Sequence, residues 1–363
     1  MANRIVSGIL PILLLIATST LTFDIQLVKS ESTTTWVVPD DHPTIQDAIN
    51  NASEGDIIYV RAGVYNESLR IRKSIALIGQ YPDTIIRTNR SWISVGIEAH
   101  NVVVEGFCIY NVPYFSPWGG EPPEPRWCVM ISDSNNVTLC NNVISAIGNV
   151  PSQFKLGCGI NVEGCNYTNI VYNLITDNFL GIGLGLSNHN LIASNVIEDS
   201  VTQGMLIVSS RNNKIYHNNF IRNAEQIICL GYENVWDDGY PSGGNYWSTY
   251  NGTDFYSGPY QNETGSDGIG DTPYVVGGNN TDTYPLMNPE LPRRYRWITI
   301  TGDVTHDGTI DILDIVAIAS IYSCKEGDAD WNREADIAPH HGIIDILDLV
   351  TCAAHYGETR KPF

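Results

Sequence analysis

Between residues 99 and 221 one phrase of apolar and polar positions keeps returning. It runs apolar, any, apolar, two small or polar residues, asparagine, any, apolar. It reads VTLCNNVI, TNIVYNLI, NLIASNVI and NKIYHNNF, and sets Asn142, Asn173, Asn195 and Asn218 at equivalent points, 31, 22 and 23 residues apart. An earlier copy, VVVEGFCI, ends at Ile109, and a Pro- and Trp-rich insertion follows it to about Trp127. The longer first step holds a second insertion around Pro151. Short alternating strands on so short a period predict a solenoid, each repeat one coil. Alternate Val, Ile and Leu then point inward and stack on the coils above and below. The asparagine suits a bend, where it tolerates the left-handed region and its amide can bond to the next coil's asparagine. The longer Leu-x-x-Leu-x-Leu signature of the competing solenoid is missing. The predicted fold is mainly β, a right-handed parallel β-helix.

A different pattern ends the chain. Apolar residues recur at helical spacing from Ile312 to Tyr322 and from Ile346 to Tyr356, with Gly357 placed to end the second helix. The strings IDILDIV and IDILDLV stand 34 residues apart. Ahead of the first helix, DVTHDGTIDILD puts side-chain oxygens at loop positions 1, 3, 5, 9 and 12 (Asp303, Thr305, Asp307, Asp311, Asp314). Gly308 sits at position 6 and the Thr309 carbonyl at position 7. That is the oxygen set of an EF-hand calcium loop, with Asp in place of Glu at position 12. So many carboxylates repel one another unless a hard cation neutralises them. The second loop is broken. Asp345 and Asp348 keep positions 9 and 12, but Ile337 and Pro339 fall at positions 1 and 3, and Asp336 returns to position 1 only with a one-residue insertion. One good calcium site and one weak site are predicted.

Composition narrows the setting. The formal charge is −20, which argues against nucleic acid and anionic membrane surfaces and suits calcium or cationic partners. Arg4, an apolar run from Ile9 to Leu21 and a Ser/Thr-rich stretch read as a signal peptide within residues 1–30, an uncleaved anchor being the alternative. No later segment is apolar enough to span a membrane. Asn-x-Ser/Thr sequons beginning at Asn51, Asn66, Asn89, Asn136, Asn166, Asn251, Asn262 and Asn279 fit an exported, extracellular glycoprotein. Eight cysteines in such a chain permit disulfides, Cys324 with Cys352 among them, or buried thiols. The chain divides into a β-helix over 36–290, a linker over 291–301 and the calcium module over 302–357.

Two family resemblances add to this. The doubled loop-helix unit, with DWNREADI before its second half, resembles a type I dockerin. That resemblance implies calcium as cofactor and a cohesin-type protein module as partner. It also implies recognition through loop positions 10 and 11, here Ile312, Leu313, Ile346 and Leu347. The segment VPDDHPTIQDAINNASEGDIIYVRAGVYNESLRIRKSIALIGQ is similar to the N-terminal cap and first coils of NosD-like and pectin-lyase-like β-helices. There a short helix, here about Ile45 to Ala52, covers the open end. IYHNNFIRN, WDDGYPSGGNYWSTYNGTD and GSDGIGDTPY resemble the C-terminal part of secreted NosD-like proteins. The resemblance implies the fold strongly and function weakly.

Chemistry is sparse. GVYNE (63–67) resembles a pectin-esterase motif, but none of the other esterase, polygalacturonase, epimerase or lyase strings follows. The sharpest catalytic candidates are Asp177 and Glu198. At 21 residues apart they fall nearly one above the other, within reach of a retaining-glycosidase separation. The aromatic run that includes Trp236, Tyr240, Tyr246 and Trp247 either caps the open end or also stacks on sugar rings of a polysaccharide or surface glycan; Tyr114, Trp118 and Trp127 could extend it. Asp267 and Asp271 in SDGIGD offer a further calcium site against a plain Gly/Asp turn. Copper lacks support, with few methionines and with His100, His189 and His217 away from ligand spacing. The reading is a secreted β-helix, carbohydrate-binding or adhesive, that docks through its C-terminus. The alternative is a polysaccharide hydrolase or lyase.

Overall fold

The computed structural model describes residues 33–88, 91–111, 126–146 and 157–289, then 302, 304, 310, 312–325, 328, 335–338 and 342–357. The signal-peptide segment, the linker and most of both insertions lie outside the described residues, with Tyr114 and Trp118 among them, while Trp127 stands in the strand Arg126–Ser132.

Among the described residues three parallel sheets of eight, eight and seven strands run the length of the β region. Each coil contributes one strand to each sheet in turn. Thr138–Cys140 belongs to the first sheet, Val143–Ser145 to the second and Gly157–Glu163 to the third. This is the arrangement typical of a right-handed parallel β-helix, the hand that parallel crossovers adopt. Register aligns like with like. Leu139, Ile170, Ile192 and Ile215 stack in the first sheet. Ile144, Ile175, Ile197 and Phe220 stack in the second. All are fully or almost fully buried. Burying such side chains is worth about 1.5–3 kcal/mol each, so the column of apolar side chains supplies the main drive.

The corner between the first and second sheets holds the repeated asparagines, all buried. Asn173 Oδ1 accepts from the Asn142 N–H (3.1 Å) and Nδ2 (3.2 Å). Asn195 Oδ1 accepts likewise from Asn173 (2.9 and 3.0 Å), and Asn218 Oδ1 from Asn195 (3.1 and 2.9 Å). Asn245 Oδ1 accepts from Asn218 at 3.1 and 3.0 Å. The amide ladder is as expected; the left-handed bend is not. Positive φ falls on the residue before each rung, Asn141, Tyr172, Ser194 and His217, at 56–57°. The rung itself is freed to point inward. A second ladder, Asn190–Asn213–Asn234, lines another corner.

The N-terminal end is closed by α1 (Ile45–Asn51), with Ile45, Ala48 and Ile49 facing the core. The next coil supplies both of its charged caps. Glu67 accepts from the Ile45 and Gln46 N–H groups (3.0 and 2.9 Å). Lys73 Nζ donates to the Asn50 and Ala52 carbonyls (2.7 and 2.6 Å). An anion at the first turn and a cation at the last complement the helix dipole. The GVYNE string, which looked like an esterase motif, thus has a structural task through Glu67.

Asn195→Ala strips the acceptor from two Asn173 donors and the donor from the Ile170 carbonyl (2.7 Å). We expect a loss of about 3–5 kcal/mol, read from the urea midpoint, whereas Ser194→Asn, at the half-buried left-handed bend, should be neutral or slightly stabilising.

Candidate functional site

The C-terminal module contains α2 (Ile312–Ser320) and α3 (Ile346–Ala354). Ile310, Ile318, Ala335, Ile344 and Cys352 form its core. Backbone bonds tie the halves: Ile344 N–H to the Cys324 carbonyl (2.9 Å), Ser323 N–H to the Ile344 carbonyl (2.8 Å) and Gly357 N–H to the Ile310 carbonyl (2.8 Å). Gly357, at φ 84°, takes the left-handed turn just past α3. The core leaves the Ile-Leu pairs outside. Ile312, Leu313, Ile346 and Leu347 are 56, 55, 57 and 41% exposed. Val316, Val350, Tyr322 and Tyr356 are exposed with them. The 34-residue repeat therefore presents the same four side chains twice: Ile, Leu, Val and Tyr. The valines and tyrosines escaped sequence reading, although the repeat itself contained them.

The loop acids divide. Asp303, Thr305, Asp307, Thr309 and Asp311 lie outside the described residues. Asp314, in the first turn of α2, is buried. Burial, with Asp314 as neighbour, pushes the Cys352 thiol up. In the second half Asp348 accepts three backbone N–H groups, and Asp336 accepts one. Asp345 caps α3 through the Leu347 N–H at 2.7 Å, half of a capping box with Asp348.

At its tryptophans the aromatic run follows the capping reading. Trp236 and Trp247 are each 1% exposed. Trp247 is sandwiched between Phe220 and Tyr274, with ring centroids 4.4 Å away on either side. These rings continue the core stack and close the C-terminal end. Tyr240 and Tyr246 are half-buried beside them. Beneath the tryptophans lies Asp282, wholly buried. Its Oδ2 accepts from the Asn245 N–H (2.7 Å) and Nδ2 (3.3 Å) and from Trp247 Nε1 (2.8 Å). It is the acceptor that ends the asparagine ladder. Burial pushes its carboxyl up to about 7, against the lowering effect of those donors.

Asp177 and Glu198 are not brought together as a pair. Register sets Thr176 opposite Glu198, so Asp177 faces the position of Asp199. A one-residue slip moves a side chain to the other face. Glu198 is buried and bonds Arg222 Nη2 at 3.2 Å, and Asp199 holds the same guanidinium at 2.7 Å. Asp267 and Asp271 are likewise engaged. Asp271 accepts from Phe255 N–H, Tyr256 N–H and the Thr253 hydroxyl, and Asp267 from Ile269 N–H and Gln261 Nε2. With Asp254, which accepts from Ser266, Asp267 and Gly268, they pin one loop, as the plain turn reading had it. The eight cysteines form no disulfide among the described residues, so the Cys324–Cys352 bridge does not form. Burial raises the Cys108 thiol to about 11 and Cys158 to about 12.

A stack of coils with an amide ladder and aromatic end closure defines the class as a parallel β-helix. The model of the family described as "Periplasmic copper-binding protein (NosD)" matches residues 49–252, more than half of the sequence, and the chain belongs to that family. No curated protein matches it. Among solved structures it is similar to pectate lyase Pel9A (11% identity, 59% of this chain, 58% of the lyase, TM-score 0.41). It is similar too to ORF18 of Geobacillus virus E2 (19%, 51% of this chain, 40% of that chain, 0.39). Pectin methylesterase PemA from Erwinia chrysanthemi is a third (10%, 56%, 92%, 0.32). The chain spans less than two thirds of the lyase and of the viral protein. Likeness at this level says nothing about chemistry. Among the described residues no three His, Cys, Asp or Glu side chains are grouped as metal ligands. No helix among them is long and apolar enough to cross a membrane.

Asp282 makes a pH prediction. Its folded carboxyl holds a proton more tightly than an unfolded one, near 4. Its contribution to stability is therefore complete below about pH 4 and is lost as pH rises through about 7. On the order of 2–4 kcal/mol is at stake. Asp282→Asn should flatten the fall in thermal midpoint between pH 5 and pH 8, and an unchanged slope would remove Asp282 as its source.

Proposed function

We propose that this is an extracellular display protein. Its β-helix is presented towards polysaccharide or a surface glycan, and its C-terminal module, held by calcium, docks onto a cohesin-type protein partner. The observation that carries the reading is the pair of matching apolar faces. A helix of a self-contained module keeps Ile, Leu and Val inward. Here each helix turns Ile, Leu and Val outward at the same offsets, with an exposed Tyr following. Exposed apolar groups in such a set are the material of an interface core. Since the faces repeat, the partner can engage either helix.

Calcium rests on the oxygen set from Asp303 to Asp314. The glycan part rests on the tyrosines that the end closure leaves accessible: Tyr240 and Tyr246 in part, and the exposed Tyr256 and Tyr260. No grouping of acids in the described coils favours the hydrolase or lyase alternative.

Calorimetry of the full chain with calcium chloride should find one tight site that Asp303→Ala abolishes; two equivalent tight sites would refute the one-site reading. A pull-down with a cohesin module should capture wild type in calcium. It should lose the double variant Ile312→Asp with Ile346→Asp, while calcium binding persists. Retained capture by that variant would overturn the docking faces.

A further inference from the structure

In an EF-hand loop the carboxylate at position 12 goes to the ion. Asp348 holds that position in the second half and is 1% exposed. Its Oδ1 accepts from the Ile337 N–H (2.8 Å) and the Ala338 N–H (2.8 Å). Its Oδ2 accepts from the Asp345 N–H at 2.8 Å. Both oxygens are thus turned onto the amides of loop positions 1, 2 and 9. Asp336, just outside the loop, reaches back to take the Gly342 N–H at 2.6 Å. Gly342, at φ 103°, makes the sharp turn at position 6. Ile337 and Pro339 bring no side-chain oxygen to positions 1 and 3. A cation entering here would have to displace charge-assisted hydrogen bonds from a carboxylate that is already satisfied. The second half does not fit calcium.

The same bonds do what an ion does in a complete loop: they draw the first and last residues of the loop together and fix the entry of the following helix. We infer that an Asp348-centred clasp replaces calcium in the second half. The face of α3 (Ile346, Leu347, Val350 and Tyr356) then stays formed without calcium, while the face of α2 depends on the ion. What the faces are for rests on the docking reading; the clasp does not. If both hold, the two faces are equivalent to a partner in calcium and unequal without it, so calcium governs one docking mode and spares the other.

Hydrogen exchange on the full-length protein, read by mass spectrometry, tests this with no partner present. In excess chelator, amides of 346–354 should exchange within about threefold of their calcium rates, and those of 312–320 at least about tenfold faster. Asp348→Asn keeps one acceptor and aims an NH2 at the clasp donors. It should speed exchange across 346–354 in saturating calcium while calorimetry still counts one bound calcium. Equal deprotection of both helices by chelator would overturn the inference, since it would mean that the shared core makes the halves one calcium-dependent unit. Loss of a bound calcium in Asp348→Asn would overturn it too. Failure to bind a cohesin module, with the exchange pattern intact, would reject the docking reading alone.

Discussion

The structure depends on satisfying backbone and amide groups at corners that no strand ladder reaches. Parallel strands about 4.8 Å apart bond along each sheet, but at every bend the chain leaves the ladder while still enclosed. Buried polar groups there must find partners or cost about 1–3 kcal/mol each. The asparagine rungs answer this with one side chain per coil, which accepts from the coil before it and donates to the coil after it. Everything else is arranged around that column. The residue before each rung takes the left-handed strain, the Ile and Leu stacks hold the spacing, and Asp282 supplies the last acceptor. The exposed ends need their own solutions. At one, Glu67 and Lys73 pin a helix; at the other, Trp247 and Tyr274 extend the apolar stack in aromatic form.

Much of this was legible. The recurring phrase located the strands, the coils and the ladder, because a short-period solenoid writes its contacts into the sequence as neighbouring repeats. The N-terminal helix was legible from resemblance. What stayed open, or failed, were readings in which one pattern serves two environments. Trp236 and Trp247 among Asp, Asn and Gly look the same whether they stack on a sugar or on Phe220; only the end of the coil decides. Asp177 and Glu198 failed by one residue. Their spacing of 21 falls one short of the coil, and a strand turns that into opposite faces. Asp267 and Asp271 allowed either a calcium site or a plain turn, because backbone donors are invisible in sequence. The second loop reads as broken in the sequence, but the amide partners of Asp348 could not be foreseen, since they are set by the turn and not by the residue type.

The family match ends at residue 252, ahead of the module. The β-helix and the loop-helix repeat therefore carry different kinds of information. The first is a scaffold in which Glu198 and Asp199 are committed to an ion pair and Asp254, Asp267 and Asp271 to a turn. The second is a small core that turns its best apolar residues outward. Two halves with the same face and different loop chemistry allow one surface to be under two kinds of control.

The ladder has a direction: each Nδ2–H points onto the next Oδ1, from Asn142 through to Asn245 and then Asp282. A rung in the middle meets only copies of itself. Duplicating one such unit, for instance the 23 residues from Asn195 to His217, adds a coil whose donors and acceptors match on both sides. The scaffold can therefore lengthen or shorten in whole coils by tandem duplication or loss, with both end caps untouched. The length of the β-helix is set by copy number, free of any need to redesign the core.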